Sequence, residues 1–239
     1  MKTEDIAYLD GPLNMSGFVA YEENQSAPRP GVLVMHEAWG LGEHVISRCK
    51  MLAELGYVAF AADLFGDRRQ ITKREEAMAT IADLRANPQK LRARTRAALT
   101  ALSALPQVDS QRLGGIGYCF GGTAILELAR DGADLAGVVS FHGGLETTMP
   151  AVPGEVKARI LVCTGADDPM VPSTQVKTFE DEMHKAGADV RVISHTGAVH
   201  GFTNPKNDGS IAPGILYNQA ADHQSWAAMR AFFSDVFGK

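Results

Sequence analysis

One cysteine stands between two glycines in Gly117-Tyr118-Cys119-Phe120-Gly121, where an apolar strand pattern meets a helix pattern. A Gly-x-nucleophile-x-Gly turn forces its central residue into a strained backbone conformation, because side chains at the glycines would collide with the strand and helix. The central thiol then projects above the sheet at a helix N-terminus, where it loses its proton more readily. We therefore predict that Cys119 is a nucleophile and that the N–H of Phe120 is one oxyanion donor. The alternative is a buried, inert cysteine in a glycine-packed turn.

A candidate acid and a candidate base follow the cysteine in the chain. Asp168 lies just beyond the carboxyl end of an apolar strand pattern, and His200 lies in the loop after the next one. A histidine can take the proton of a nucleophile while a carboxylate orients its ring. We predict a catalytic triad of Cys119, Asp168 and His200. Asp167 competes for the acid role, and Asp168 is preferred because it stands three residues before Val171. Read separately, Asp168 could be a turn or cap residue and His200 a structural histidine.

The segment His36-Glu37-Ala38-Trp39-Gly40 follows the first strand of the predicted parallel sheet. This loop is expected to supply the second oxyanion N–H, from Ala38. Glu37 is predicted to lie beside the cysteine, where it accepts the thiol proton or keeps the thiol dormant; the alternative is a solvated loop acid. Trp39 and Phe202 are candidate substrate contacts or ordinary packing residues. Tyr118 is a further candidate, although it is better placed to pack beneath the nucleophile.

Short apolar runs alternate with helical patterns along the chain. The predicted strands are 31–36, 57–62, 113–118, 136–141, 159–164 and 190–194. The predicted helices are 44–55, 73–86, 89–104, 121–130, 174–186 and 220–237. This alternation predicts a single-domain α/β fold over residues 1–239, with a mostly parallel doubly wound sheet and helices on both faces. Residues 1–25 suggest an N-terminal hairpin or edge strands, and the long irregular stretch at about 196–219 suggests a functional loop.

Composition excludes several classes of protein. The 239 residues are 45% hydrophobic and carry 23 Lys and Arg against 28 Asp and Glu, a net charge of −5. This balance argues against nucleic acid or an anionic membrane as a partner. The three cysteines form no pairable framework and the seven histidines no metal-ligand spacing. We expect a cytoplasmic monomer or small homo-oligomer, with a small-molecule substrate and no metal or cofactor.

With these motifs in view, the chain resembles the dienelactone hydrolase (carboxymethylenebutenolidase) family of the α/β-hydrolase superfamily. The matching stretches are 36–40, 62–66, 117–122, 165–172 and 200–202. The resemblance implies hydrolysis of a lactone or activated ester by a Cys119–Asp168–His200 triad through a thioester. It also implies that Glu37 is coupled to the thiol and that the N–H groups of Ala38 and Phe120 form the oxyanion hole.

The chain departs from the family pattern after the triad histidine. The dienelactone enzyme carries an arginine there that holds the substrate carboxylate, and Asn204 stands in this region here. Arg74, or Arg68 together with Arg69, could supply a carboxylate partner from another wall.

Other functions are compatible with parts of the pattern. The enzyme could be a broad carboxylesterase or thioesterase, and the fold could also serve as a non-catalytic binding module. A dinucleotide-binding oxidoreductase is disfavoured because Phe120 stands where the third glycine of Gly-x-Gly-x-x-Gly belongs. His142 follows an apolar strand pattern and could edge the pocket.

Overall fold

The computed structural model describes residues 1–23 and 27–238. Residues 24–26 and 239 lie outside this part of the chain, and with them the end of the predicted N-terminal segment 1–25. The described strands form one sheet in the order β1-β2-β4-β3-β5-β6-β7-β8. The strands are β1 (Lys2–Asp10), β2 (Leu13–Tyr21), β3 (Arg29–Met35), β4 (Val58–Ala62), β5 (Val108–Tyr118), β6 (Gly137–Phe141), β7 (Arg159–Gly165) and β8 (Val190–His195). The helices are α1 (Glu43–Glu54), α2 (Arg74–Ala86), α3 (Pro88–Ser103), α4 (Phe120–Arg130), α5 (Ser173–Ala186) and α6 (Gln219–Val236).

The sheet is parallel from β4 to β8 and antiparallel at one edge. β1 and β2 form a hairpin, and β2 pairs antiparallel with β4. The pairs β3–β4, β3–β5, β5–β6, β6–β7 and β7–β8 are all parallel. The predicted fold class, a mostly parallel α/β sheet with helices on both faces, is confirmed.

Alternate residues of β3 show how the two faces are covered. All seven residues of this strand are buried. Val32 and Val34 pack in a cluster with apolar residues of α1 and α6. Leu33 and Met35 pack in a second cluster with residues of α2, α3, α4 and α5. Helices on both faces are therefore the reason that the central strands read as continuous apolar runs.

The helix bounds agree with the predicted ones to within one residue, whereas two strands begin earlier than predicted. β3 begins at Arg29 rather than at 31. β5 begins at Val108 rather than at 113. Arg29 and Pro30 pair with Val108 and Asp109 before the register shifts between Pro30 and Gly31. The pattern missed this extension because residues 109–112 are polar and partly exposed.

The parallel pairing brings the chemistry-bearing loops to one edge of the sheet. Met35 of β3 pairs with Gly117 of β5, and Tyr118 pairs with Phe141 of β6. Because parallel strands end at the same edge, the segments that follow them meet there. Glu37, Cys119, His142, Asp168 and His200 all belong to those segments.

Candidate active site

Cys119 occupies the turn between β5 and α4 in a strained conformation. Its φ is 54° and its ψ is −117°, a combination that side chains other than glycine rarely adopt. Its backbone N–H donates to the carbonyl of Phe141 at 3.0 Å and to Nδ1 of His142 at 3.1 Å. The thiol is partly exposed, in the position expected of a nucleophile at such a turn.

The two flanking glycines are required by close backbone contacts. A Cβ built on Gly117 would lie 1.9 Å from the carbonyl oxygen of Gly121. A Cβ on Gly121 would lie 2.2 Å from the carbonyl oxygen of Met35. Because both neighbours are backbone atoms, they cannot move aside as a side chain would. The steric reason predicted for the glycines is confirmed at both positions.

The predicted nucleophile, base and acid lie in one hydrogen-bonded chain. Nε2 of His200 is 3.1 Å from Sγ of Cys119, and Nδ1 of His200 is 2.9 Å from Oδ2 of Asp168. Oδ1 of Asp168 accepts the N–H of Met170 at 2.8 Å, which fixes the carboxylate. Asp168 is buried, whereas its rival Asp167 is exposed. The geometry therefore favours Asp168 over Asp167 as the partner of His200.

The electrostatic environment favours a protonated His200. Burial of the ring opposes its charge, but negative charge on Cys119 and the hydrogen bond to Asp168 outweigh this effect and raise the pKa of His200 to about 10. The imidazole can therefore hold the proton that the thiol gives up.

The carboxylate of Glu37 has partners other than the predicted thiol. Oε2 lies 3.2 Å from Nδ1 of His44 and accepts the amide N–H of Asn204 at 2.9 Å. Burial by itself would raise the pKa of Glu37, but His44 and the Asn204 amide outweigh it and hold this pKa below its usual value. Within the described residues Glu37 makes no hydrogen bond to Cys119, although both residues line one cavity, and its coupling to the thiol stays a prediction. Asn204 was missed as its partner because 167 residues separate them in the chain.

The backbone N–H groups of Ala38 and Phe120 are available for an oxyanion. Phe120 is the first residue of α4, and Ala38 lies in the turn after β3. Among residues 1–23 and 27–238, neither N–H group donates a hydrogen bond. An unpaired N–H at the first turn of a helix is a ready donor to developing negative charge.

A cavity of about 70 Å³ opens beside Cys119 and His200. Trp39 and Arg74 line it, as predicted from the sequence. Much of the remaining wall is apolar and comes from Met78, Met170, Ile211 and Ile215. Ile211 and Ile215 belong to the long irregular stretch singled out in the sequence, which thus forms one wall of the cavity. The alternatives Arg68 and Arg69 do not line it; Arg68 pairs with Asp5, and Arg69 donates to Thr80.

Two predicted substrate contacts are wrong. Phe202 is fully buried and packs edge-on against the ring of His142, with centroids 5.0 Å apart. Tyr118 is also fully buried and stacks on Phe141 at 4.8 Å, beneath the turn that carries Cys119. Both side chains belong to the apolar cluster of α1 and α6, and neither lines the cavity.

Several polar residues around the site were missed or left undecided by the sequence. Nε2 of His44 and Nη2 of Arg48 contact the carbonyl oxygen of Thr203, at 3.2 and 2.6 Å. His142 contacts both Cys119 and Thr203. Only its position at a strand end signalled His142. His44 and Arg48 lie in an ordinary helical pattern, which carries no such signal.

The described part of the chain contains no helix that combines the length and apolar character of a membrane span. It also contains no group of three or more His, Cys, Asp or Glu side chains arranged to hold a metal ion.

Comparison with known proteins agrees with the fold. The chain is 40% identical, over 98% of both chains and with a TM-score of 0.94, to the crystal structure of a dienelactone hydrolase-like promiscuous phosphotriesterase from metagenomic libraries. A solved structure called m3DLH matches with the same identity, coverage and TM-score. An Escherichia coli K12 protein provisionally named carboxymethylenebutenolidase is 26% identical, over 95% of this chain and 84% of its own. The family model for the dienelactone hydrolase family matches residues 15–237. The chain therefore belongs to the dienelactone hydrolase family.

Proposed function

We propose that this protein hydrolyses lactones or activated esters through a cysteine nucleophile and a thioester intermediate. The observation that carries the proposal is the hydrogen-bonded chain from Sγ of Cys119 through His200 to Asp168, with distances of 3.1 and 2.9 Å. The strained turn presents this thiol to the cavity, and the family comprises hydrolases. Cys119 is the nucleophile, His200 the general base and acid, and Asp168 the group that fixes the ring.

The first half of the reaction forms the thioester. The thiolate of Cys119 attacks the substrate carbonyl carbon, and the electron pair of the C=O bond moves onto oxygen. The N–H groups of Ala38 and Phe120 stabilise this oxyanion. The intermediate then collapses, the C–O bond to the leaving group breaks, and His200 gives its proton to the leaving oxygen.

The second half regenerates the enzyme and needs a neutral histidine. Once the sulfur is acylated, the negative charge that raised the pKa of His200 is gone, so the buried ring releases its proton more easily. The neutral ring then takes a proton from water while the water oxygen attacks the thioester carbonyl. Expulsion of the thiolate of Cys119 releases the acid product. The ring of His200 can therefore act as an acid in the first half of the reaction and as a base in the second, because acylation of the sulfur lowers its pKa.

The chemistry of a thiolate and the cavity walls define the substrate class. An amide nitrogen is a poorer leaving group than a thiolate, so the intermediate from an amide returns to starting material. Lactones, enol esters, aryl esters and thioesters have leaving groups that depart readily enough for the intermediate to proceed to the acyl-enzyme. The walls from Trp39, Met78 and Met170 favour an apolar group, and Arg74 is a cationic partner for a substrate carboxylate.

Hydrolysis by the wild type beside Cys119→Ala tests the proposal. The panel contains an aryl acetate, a dienelactone and an acyl thioester. We expect turnover by the wild type and none by Cys119→Ala, with unchanged circular dichroism. Cys163→Ala is the matched control, because Cys163 is buried and burial raises the pKa of its thiol to about 12. Equal activity of wild type and Cys119→Ala would show that Cys119 is not the nucleophile.

Phosphotriester hydrolysis is a second candidate, favoured by the 40% identity to a promiscuous phosphotriesterase. Attack of the Cys119 thiolate on phosphorus would place negative charge on the phosphoryl oxygen, which the same N–H groups can stabilise. An aryl dialkyl phosphate in the same panel tests it. Release of the aryl alcohol by the wild type, but not by Cys119→Ala, would support this activity, and no release by either would exclude it.

A further inference from the structure

The ring of His142 joins the loop of Cys119 to the loop of His200. Its Nδ1 accepts the backbone N–H of Cys119 at 3.1 Å. Its Nε2 lies 2.7 Å from Oγ1 of Thr203, three residues after His200. The ring is fully buried. It thus contacts both segments whose spacing sets the distance between Sγ and the imidazole.

These contacts define the protonation state of His142. A nitrogen that accepts from a backbone N–H carries no proton, so Nε2 holds the proton and donates it to Thr203. Burial, followed by the nearby charge of His200 and of His44 and Arg48, holds the pKa of His142 well below its usual value. The ring is therefore neutral, and it does not compete with His200 for a proton.

The backbone of His142 is itself constrained. Its φ is 42°, a positive value that is unusual for a residue other than glycine. Its N–H donates to the carbonyl of Cys163 at 2.8 Å, and its ring packs edge-on against Phe202 and His200. Strained residues held by many surrounding contacts occur where a precise geometry is needed.

We propose that His142 is a positioning residue that holds Sγ of Cys119 and Nε2 of His200 at reacting distance by hydrogen-bonding both of their loops. This inference rests on the proposed role of Cys119 as nucleophile. His142 touches no reacting atom in this scheme. It acts through the backbone of Cys119 and the hydroxyl of Thr203. Loss of either hydrogen bond therefore makes the distance between Sγ of Cys119 and Nε2 of His200 less well fixed.

Three substitutions separate the two hydrogen bonds. His142→Ala removes both of them. His142→Asn keeps an acceptor near the position of Nδ1 but cannot reach Thr203. Thr203→Val removes only the hydroxyl that Nε2 contacts. Thr164→Val is the matched control, because Thr164 is an equally buried threonine whose hydroxyl has no partner among the described residues.

The measurements are kcat and KM for an aryl acetate, and the rate at which iodoacetamide alkylates Cys119 as a function of pH. We expect His142→Asn and Thr203→Val each to lower kcat about tenfold, as loss of one buried hydrogen bond can. The double variant should be no slower than either single one, because both changes break the same link. His142→Ala should lower kcat about 100-fold, the cost of a misplaced catalytic pair, with KM changed little. Its alkylation profile should shift to higher pH, since the imidazolium is no longer held beside the thiolate.

The outcomes distinguish this inference from the proposed function. If wild-type Cys119 resists alkylation and the wild type hydrolyses nothing, the nucleophile assignment fails. If the wild type is active and Thr203→Val behaves like Thr164→Val, the positioning role of His142 is overturned. Fully additive effects of His142→Asn and Thr203→Val would overturn it as well. Because Thr203→Val and His142→Asn are conservative, these comparisons stand even if His142→Ala fails to fold.

Discussion

The buried ion pair between Arg48 of α1 and Asp222 of α6 leads to a quantitative prediction. Nη2 of Arg48 lies 2.6 Å from Oδ1 of Asp222 and donates to the carbonyl of Thr203 at 2.6 Å. The guanidinium lies between the rings of Tyr118 and Trp226, at 5.6 and 5.3 Å. The pair thus links two helices to the loop that carries His200.

Replacement of Arg48 by Met leaves the Asp222 carboxylate buried without its partner. Loss of one member of a buried ion pair costs about 3–5 kcal/mol of unfolding free energy. With a urea dependence of about 3 kcal/mol per molar, a loss of about 4 kcal/mol lowers the unfolding midpoint by about 1.3 M. The double variant Arg48→Met, Asp222→Leu removes both charges and should recover most of this loss.

Urea unfolding followed by circular dichroism at pH 7 measures these effects. Lys177→Met is the control, because Lys177 forms an exposed pair with Asp181 on α5, and it should change stability by at most about 0.5 kcal/mol. An Arg48→Met midpoint within the range of the control would refute the reasoning. So would a double variant that is less stable than Arg48→Met, since the cost is assigned to the unpaired carboxylate.

Three further predictions concern the site. Gly121→Ala should abolish activity and destabilise the fold, because its Cβ would lie 2.2 Å from the carbonyl oxygen of Met35; activity near the wild-type value would contradict the steric argument. Cys119→Ala removes the anion that favours the charged imidazole, so the pKa of His200 should fall from about 10 when followed by NMR, and an unchanged titration would contradict the ion pair. Arg74→Ala should raise KM at least about tenfold for an ester that carries a carboxylate and leave KM for an uncharged aryl acetate unchanged, as loss of a charged hydrogen bond predicts. Equal effects on both esters would exclude carboxylate recognition by Arg74.

Local patterns were sufficient for most of the fold. Apolar runs predicted the strands, and helical patterns ended by glycine or proline predicted the helices to within one residue. These signals depend on residues that are close together in the chain. The polar segment 109–112 hid the first half of β5, because its pairing with Arg29 and Pro30 involves a distant part of the chain. The burial of Phe202 was hidden for the same reason, since its neighbours His142 and His195 lie on other segments.

The sequence by itself determined the residues that can react and the turn that presents them. The glycines around Cys119 and the order of acid and histidine after it are features of local spacing, and the backbone geometry follows from them. Tertiary structure alone decided the polar contacts that surround this group. Glu37 accepts a hydrogen bond from Asn204, and His142 joins two loops, because the parallel sheet brings together strand ends that are far apart in the chain. Hydrogen bonds between distant segments leave no periodic pattern in a single sequence.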